Sequence, residues 1–296
     1  MHSFPKKLEQ KLSQRTENSS LRTLPKFENH LDFSSNDYLG FAAEKEIHLQ
    51  EELNLYGATG SRLISGNHKV AEDVDGFLAN YYKAESALIF NSGYNANLGL
   101  FSSLPQRGDT IVYDELIHAS IRDGIKLSNA NSFSFQHNSL LALAEKIKKA
   151  KGNVFVAVES IYSMDGDEAP LQKIVGICQK NAAALVVDEA HAVGVFGDKG
   201  EGLVAKYGLE NDVFARIITF GKAYGCHGAA ILGSSNLRSY LINFSRPFIY
   251  TTALPLQSVL TLKKAHRHRA SILSQQSPPE IEESYQKQSI IEVGFS

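Results

Sequence analysis

Short apolar runs recur through the middle of the chain, and a stretch with helical spacing follows nearly every one. The runs are ALIF (Ala87 to Phe90), DTIVYD (Asp109 to Asp114), SFSFQH, NVFVAVES (Asn153 to Ser160), ALVVDEAH, ARIITFGK and GAAILGS. Most are continuous and rich in β-branched residues, as in strands buried on both faces. Between them, SGYNANLGLFSSL, HASIRDGIKLS, LLALAEKIKKA and PLQKIVGICQK read as helices. Residues 69–83 do the same, with Val70, Val74, Phe77, Leu78 and Tyr81 on one face. Strand and helix in alternation predict an α/β layered sheet with right-handed crossovers.

The flanks read differently. Residues 5–20 form a polar helix, and DFSSNDYLG (Asp32 to Gly40) a short strand and a turn. GATGSRLISGNH (Gly57 to His68) is rich in Gly and Ser and is a loop. From His266 the sequence HRHRASILSQQSPPEIEESYQKQSIIEVGFS is polar, with a Pro pair, and reads as a linker or part of a second domain. Three parts are expected: 1–40, 41–255 and 256–296.

Bulk properties narrow the class. At 296 residues the chain makes one large domain or two ordinary ones, and 43% hydrophobic residues supply a substantial core. A formal net charge of -2 gives no electrostatic case for nucleic acid or an anionic membrane. Only two cysteines occur, Cys178 and Cys226, which excludes a disulfide scaffold and a CxxC metal site. The N-terminal twenty residues are too polar for a secretory signal. No apolar run approaches the roughly eighteen residues of a spanning helix. A cytoplasmic protein is expected.

Two strand ends carry the candidate chemistry. One apolar run ends in Asp188 with His191 three residues on; the next ends in Thr219 with Lys222 three residues on. A lysine buried as an isolated ammonium is costly. Covalent use of its nitrogen as a Schiff base removes that cost, and a carboxylate can keep a pyridine nitrogen protonated. Asp188 and Lys222 therefore read as the working pair of a pyridoxal 5'-phosphate (PLP) site. The plainer readings are a helix N-cap or a salt bridge for Asp188 and a lysine snorkelling at a strand end. His191 would sit near the ring's phenolic oxygen or orient Asp188. Ser92, Gly93 and Tyr94 open a helix after a strand and could offer backbone N–H groups to a phosphate, with Thr219 adding a hydroxyl. His118 could stack on the ring, or cap a helix. Ser163 could reach the phenolic oxygen, or be a turn serine. VVDEAH also looks like a helicase-type ATPase strand, but that reading needs a GxxxxGK[ST] loop, and Gly221-Lys222 is followed by Ala223.

Eight segments in order, from about residue 30 to residue 255, resemble the α-oxoamine synthases. They are DFSSNDYLGFA, GATGSRLISGNH, ALIFNSGYNANLG, YDELIHASIRDGIKLS, VESIYSMDGDEAPL, LVVDEAHAVGVFGDKGEG, ITFGKAYGCHGAAIL and SRPFIYTTALP. The resemblance implies the PLP-dependent transferase fold: a large, mostly parallel seven-stranded sheet and a small C-terminal domain. It implies Lys222 as the cofactor-bearing lysine, Asp188 at the ring nitrogen and His118 on the ring face. Ser163 and His191 fall on the oxygen side, with Gly93, Tyr94 and Thr219 at the phosphate. Thr251 and Thr252 match the position that reaches the phosphate of a partner subunit, so a homodimer is expected. The implied reaction condenses L-alanine with a pimeloyl thioester, on coenzyme A or acyl carrier protein, with loss of carbon dioxide. Another amino acid and thioester is a second reading, and a PLP-binding chain without turnover a third. Family chains continue past IYTTALP into a domain with a carboxylate-binding arginine. Arg267 and Arg269 lie in no matching motif, so none is assigned, and the small domain is expected to be truncated here. The segment between Leu39 and Gly57 is expected to be shorter than usual for the family.

Overall fold

A computed structural model of the chain describes residues 4–24, 32, 34–48 and 56–273. The chain divides into two units at Ser34 and Ser35. The described part of the first contains helix α1 (Lys6–Glu17), with no buried residue. This is the polar helix expected from residues 5–20.

The second unit opens on a turn, not a strand. Among the described residues of Asp32–Gly40 no strand occurs. Tyr38 N donates to Asn36 O and Gly40 N to Asp37 O, which curls the backbone back on itself. The polar run SSND offers side chains that compete for backbone groups and favour turns over ladders. Helix α2 (Lys45–His48) follows, and then α3 (Lys69–Tyr81), whose buried face includes Val74 and Leu78.

The sheet is built from β1 (Ser86–Phe90), β2 (Thr110–Asp114), β3 (Asn131–Phe135), β4 (Val154–Glu159), β5 (Ala184–Asp188), β6 (Ala215–Thr219) and β7 (Ala229–Gly233). Helices α4 (Gly93–Ser103), α5 (Ala119–Leu127), α6 (Leu140–Lys149), α7 (Leu171–Lys180) and α8 (Leu203–Lys206) lie between strands β1 and β6. The spatial order is β1-β7-β6-β5-β4-β2-β3. Only β7 runs against its neighbours, pairing antiparallel with both β1 and β6. The connection 220–228 carries no helix, and a helical crossover is what a parallel return needs. β3 departs from the two-face burial expected of these strands. It is one of the two edges of the sheet, and only Phe135 of its five residues is buried.

Two core clusters cover the sheet. Leu88 and Phe90 belong to one, Ala87 and Ile89 to the other, so β1 feeds opposite faces at alternate residues. After β7 come α9 (Ser235–Phe244), α10 (Arg246–Ile249) and α11 (Leu256–Leu273). The polar reading of the tail from His266 is corrected here. α11 packs on α3, and Val259, Leu262, Ala265, His266 and Arg269 are all buried. Its last two turns look polar in sequence, yet they are buried: His266 Nε2 meets Tyr82 Oη at 2.9 Å, and Arg269 Nε donates to Gly194 O at 2.5 Å. The rest of the expected tail, 274–296, lies outside the described residues.

Candidate active site

The C-terminal ends of the strands gather the polar residues. β4 ends at Glu159, β5 at Asp188 and β6 at Thr219, and β2 leads through a tight turn to His118. In open α/β sheets this edge is where ligands bind, because loops and helix N-termini point there. A cleft of about 310 Å³ opens here. Its lining includes Asn36, Ser92, Gly93, Tyr94, Asn97, His118, Ser120, Glu159, Asp188, His191, Thr219, Lys222 and His227.

Asp188 is 4% exposed and both of its oxygens are held. Asn97 Nδ2, on α4, donates to Oδ2 at 2.7 Å, and Ala190 N donates to Oδ1 at 2.9 Å. Asn97 Oδ1 is buried with no hydrogen-bond partner among the described residues. His118 caps α5: its Nδ1 accepts from Ser120 N at 3.2 Å and lies 2.7 Å from Ser120 Oγ. Its own N–H donates to Glu159 Oε1 at 2.5 Å. Burial lowers the His118 pKa, with Asp188 opposing and Lys222 adding to the shift. Burial first, and the Asp188 charge second, push the Glu159 carboxyl up to about 8. A protonated Glu159 is the physical consequence of two carboxyl groups sharing one dry strand edge.

Lys222 Nζ lies 2.5 Å from His191 Nε2. Burial lowers the amine's pKa, and Asp188 and Glu159 pull the other way. His191 is pushed down to about 2, by burial first and then by Lys222 and His118, so its ring is neutral. Tyr38 Oη lies 2.7 Å from the other ring nitrogen, Nδ1.

The opening turn of α4 supplies the remaining wall. Ser92 is the N-cap, its Oγ accepting from Asn95 N at 3.1 Å. A Cβ added at Gly93 would stand 2.6 Å from Thr219 Cγ2, so only glycine lets the helix start meet β6 this closely. The free N–H groups of that turn and the Thr219 hydroxyl suit a phosphate. Tyr94 Oη is engaged elsewhere, donating to Asp123 Oδ2 at 2.6 Å.

The structure thus brings Lys222, Asp188, His191, His118, Ser92, Gly93, Tyr94 and Thr219 into one cleft. Ser163 is not among the lining residues. Thr251 and Thr252 line a separate small pocket with Arg62 and Asn91, and Asn91 Nδ2 donates to Thr251 Oγ1 at 2.6 Å. Asn36, Asn97, Ser120, Glu159 and His227 escaped the reading of the sequence. Glu159 had a signal, since it ends a strand just as Asp188 does. Asn97 lies on the same helical face as Gly93, one turn on. Asn36 and His227 sit on turns whose path no local pattern reveals.

The donor set fits PLP on its own terms. An amine of lowered pKa, a buried carboxylate held in place by an amide, a flat imidazole and a glycine-opened helix start share one cleft. These are groups suited to PLP, and they sit on the PLP-dependent transferase fold. Residues 28–286 match the family model "Aminotransferase class I and II". The chain belongs to that family, and within it to the α-oxoamine synthases. It is 44% identical over 259 residues to the 8-amino-7-oxononanoate synthase of Emericella nidulans, covering 80% of this chain and 63% of that one. The chain therefore spans just under two thirds of that curated relative. Among solved structures it is similar to a serine palmitoyltransferase from S. paucimobilis with a bound PLP–myriocin aldimine. The TM-score there is 0.81 at 27% identity, over 90% of this chain and 72% of that one. It is also similar to 8-amino-7-oxononanoate synthase from Francisella tularensis, with TM-score 0.67 at 30% identity, over 84% and 70%. No described helix is long and apolar enough to cross a membrane.

Proposed function

We propose that this protein condenses L-alanine with a pimeloyl thioester, on coenzyme A or acyl carrier protein, to give 8-amino-7-oxononanoate, carbon dioxide and the free thiol. The observation that carries the reading is the convergence of Lys222, Asp188, His118 and His191 on one cleft. When bound, PLP supplies an electron sink for the negative charge that develops on the amino acid's Cα. Lys222 holds the cofactor through Nζ, and as a neutral amine takes the proton from Cα. Asp188, fixed by Asn97, keeps the pyridine nitrogen protonated. His118 packs against the ring and orients it, and the α4 start with Thr219 holds the phosphate. Relatives named 8-amino-7-oxononanoate synthase support the alanine and pimeloyl choice.

The serine palmitoyltransferase neighbours favour the other reading, an oxoamine synthase with a different amino acid and thioester, such as a glycine C-acetyltransferase. The protein acts as a cytoplasmic homodimer in this proposal, with Thr251 and Thr252 facing the partner's cofactor phosphate. Ser163, which does not line the cleft in the single chain, stays a candidate for the cofactor's oxygen side on the resemblance alone.

Purified protein mixed with PLP should develop a visible absorption band that Lys222→Ala abolishes; a wild type without the band sinks the cofactor assignment. Incubating the loaded protein with pimeloyl-CoA and alanine, glycine or serine in turn identifies the amino acid. A band without product from any pair would leave a PLP-binding chain that does not turn over.

A further inference from the structure

The phosphate end of the cleft is short of positive charge. Among the described residues that line the cleft there is no arginine, and its one lysine, Lys222, is spent on the cofactor's carbonyl. A phosphate monoester carries roughly 1.5 to 2 negative charges near pH 7. The start of α4 offers about half a positive charge, and Thr219 adds a neutral hydroxyl. Three histidines line the same cleft. His191 has both ring nitrogens engaged, by Lys222 and Tyr38, and His118 has Nδ1 on Ser120. His227 is exposed, and among the described residues neither of its ring nitrogens has a partner.

An exposed histidine on a turn needs no partner; what singles out His227 is its place. β1 and β7 are antiparallel, with Phe90 opposite Ala229 at the strand ends. Continued two residues past those ends, this register sets His227 level with Ser92, the N-cap of α4. On the other side, Phe220 N donates to Gly228 O at 3.0 Å and Cys226 N to Phe220 O at 2.7 Å, which holds residue 227 against the end of β6. Gly228 has φ +109, and a Cβ there would stand 2.8 Å from Leu254 Cδ1 and 3.1 Å from Phe90 O. Only glycine lets the turn lie this close to β1. His227 therefore stands between the α4 start and the strand that ends in Thr219, the two elements that suit a phosphate.

We propose that His227 is a further cofactor-binding residue, whose ring N–H donates to the phosphate of PLP beside the α4 start and Thr219. A neutral imidazole has one N–H and a protonated one has two, so a donor is present whichever nitrogen carries it. Protonation would also bring the positive charge that the rest of the lining lacks. The inference rests on the cleft being a PLP site.

Two ligands separate this role from a structural one: PLP, and pyridoxal, which has the same ring and aldehyde without the phosphate. Each is titrated into the full chain freed of cofactor, and the visible absorption band reads its affinity. His227→Ala and His227→Leu both remove the donor. Each should weaken PLP by about tenfold, the worth of one charge-assisted hydrogen bond at the low end of its range, and leave pyridoxal unchanged. The phosphorus-31 resonance of bound PLP should shift in both variants. An equal loss for the two ligands, or a preference for PLP and a phosphorus resonance that survive both substitutions, overturns the proposal. A wild type that gives no band with either ligand overturns the cofactor reading instead.

Discussion

Asp188 and Glu189 are neighbours in sequence, both almost wholly buried, and they do opposite jobs. Glu189 faces an arginine. Arg216 Nε donates to Oε2 at 2.7 Å, its NH2 group lies 2.6 Å from the same oxygen, and Val204 N donates to Oε1 at 2.9 Å. Arg216 spends its other donors on Tyr82 O and Glu201 O. Every charge there is matched, and the region fastens β5, β6 and α8 together. Asp188 faces the cleft and has an amide and a backbone N–H instead of a cation. Around it the groups sit away from their usual ionisation: Glu159 is raised, and Lys222, His118 and His191 are lowered. A closed ion pair stabilises a fold. An incomplete one, held rigidly, leaves electrostatic demand for a ligand to meet.

Arg216→Met tests the structural half and should have the largest effect. It strands the Glu189 carboxylate in the core and should cost about 3–5 kcal/mol in thermal or urea unfolding. A variant as stable as the wild type would mean that the pair is not what fastens this edge.

Asp188→Asn tests the other half. The new carbonyl still accepts from Ala190 N, and its amide N–H is met by Asn97 Oδ1, which has no partner among the described residues, once the Asn97 amide turns over, so unfolding should shift by less than about 1 kcal/mol. Turnover should fall by roughly 10²–10³-fold, the typical worth of one electrostatic stabiliser. Comparable losses in stability and turnover would erase the distinction between the two carboxylates.

Glu159→Gln sharpens the comparison by pH. The carboxyl titrates near 4.5 when unfolded and at about 8 when folded, so between these values the folded state binds the extra proton. Its contribution is present in full below pH 4.5 and is lost as pH rises toward 8. Glutamine keeps the acceptor for His118 N and removes the titration. Calorimetric scans should show the variant gaining on the wild type with rising pH and leading it at pH 8. Parallel pH profiles would place the Glu159 proton elsewhere.

Much of this was legible in the chain. The strands were readable because parallel strands buried between helices need unbroken apolar runs, and their ends marked Asp188, Thr219 and Lys222. Ser92, Gly93 and Tyr94 were readable as a helix start after a strand; the close approach of Gly93 to Thr219 was not. The edge strand β3 was less well described by its pattern, since nothing local tells Phe133 that it will be left 38% exposed. α11 misled for a related reason. His266 and Arg269 read as solvent-facing, yet His266 stacks on Tyr224 at 4.0 Å and its pKa is pushed down to about 4 by burial.

By itself the sequence determined the alternation of elements, the strand ends at which polar residues gather, and the choice of Lys222 and Asp188 as candidates. Those depend on spacing within one element and its neighbour. Tertiary structure alone decided which carboxylate is matched and which is open, because Asn97 and Arg216 reach consecutive residues from separate elements. It also decided the placement of Asn36 and Tyr38 beyond His191. A turn has no period to read, and a hydrogen bond across 153 residues exists only once the sheet has brought its ends together.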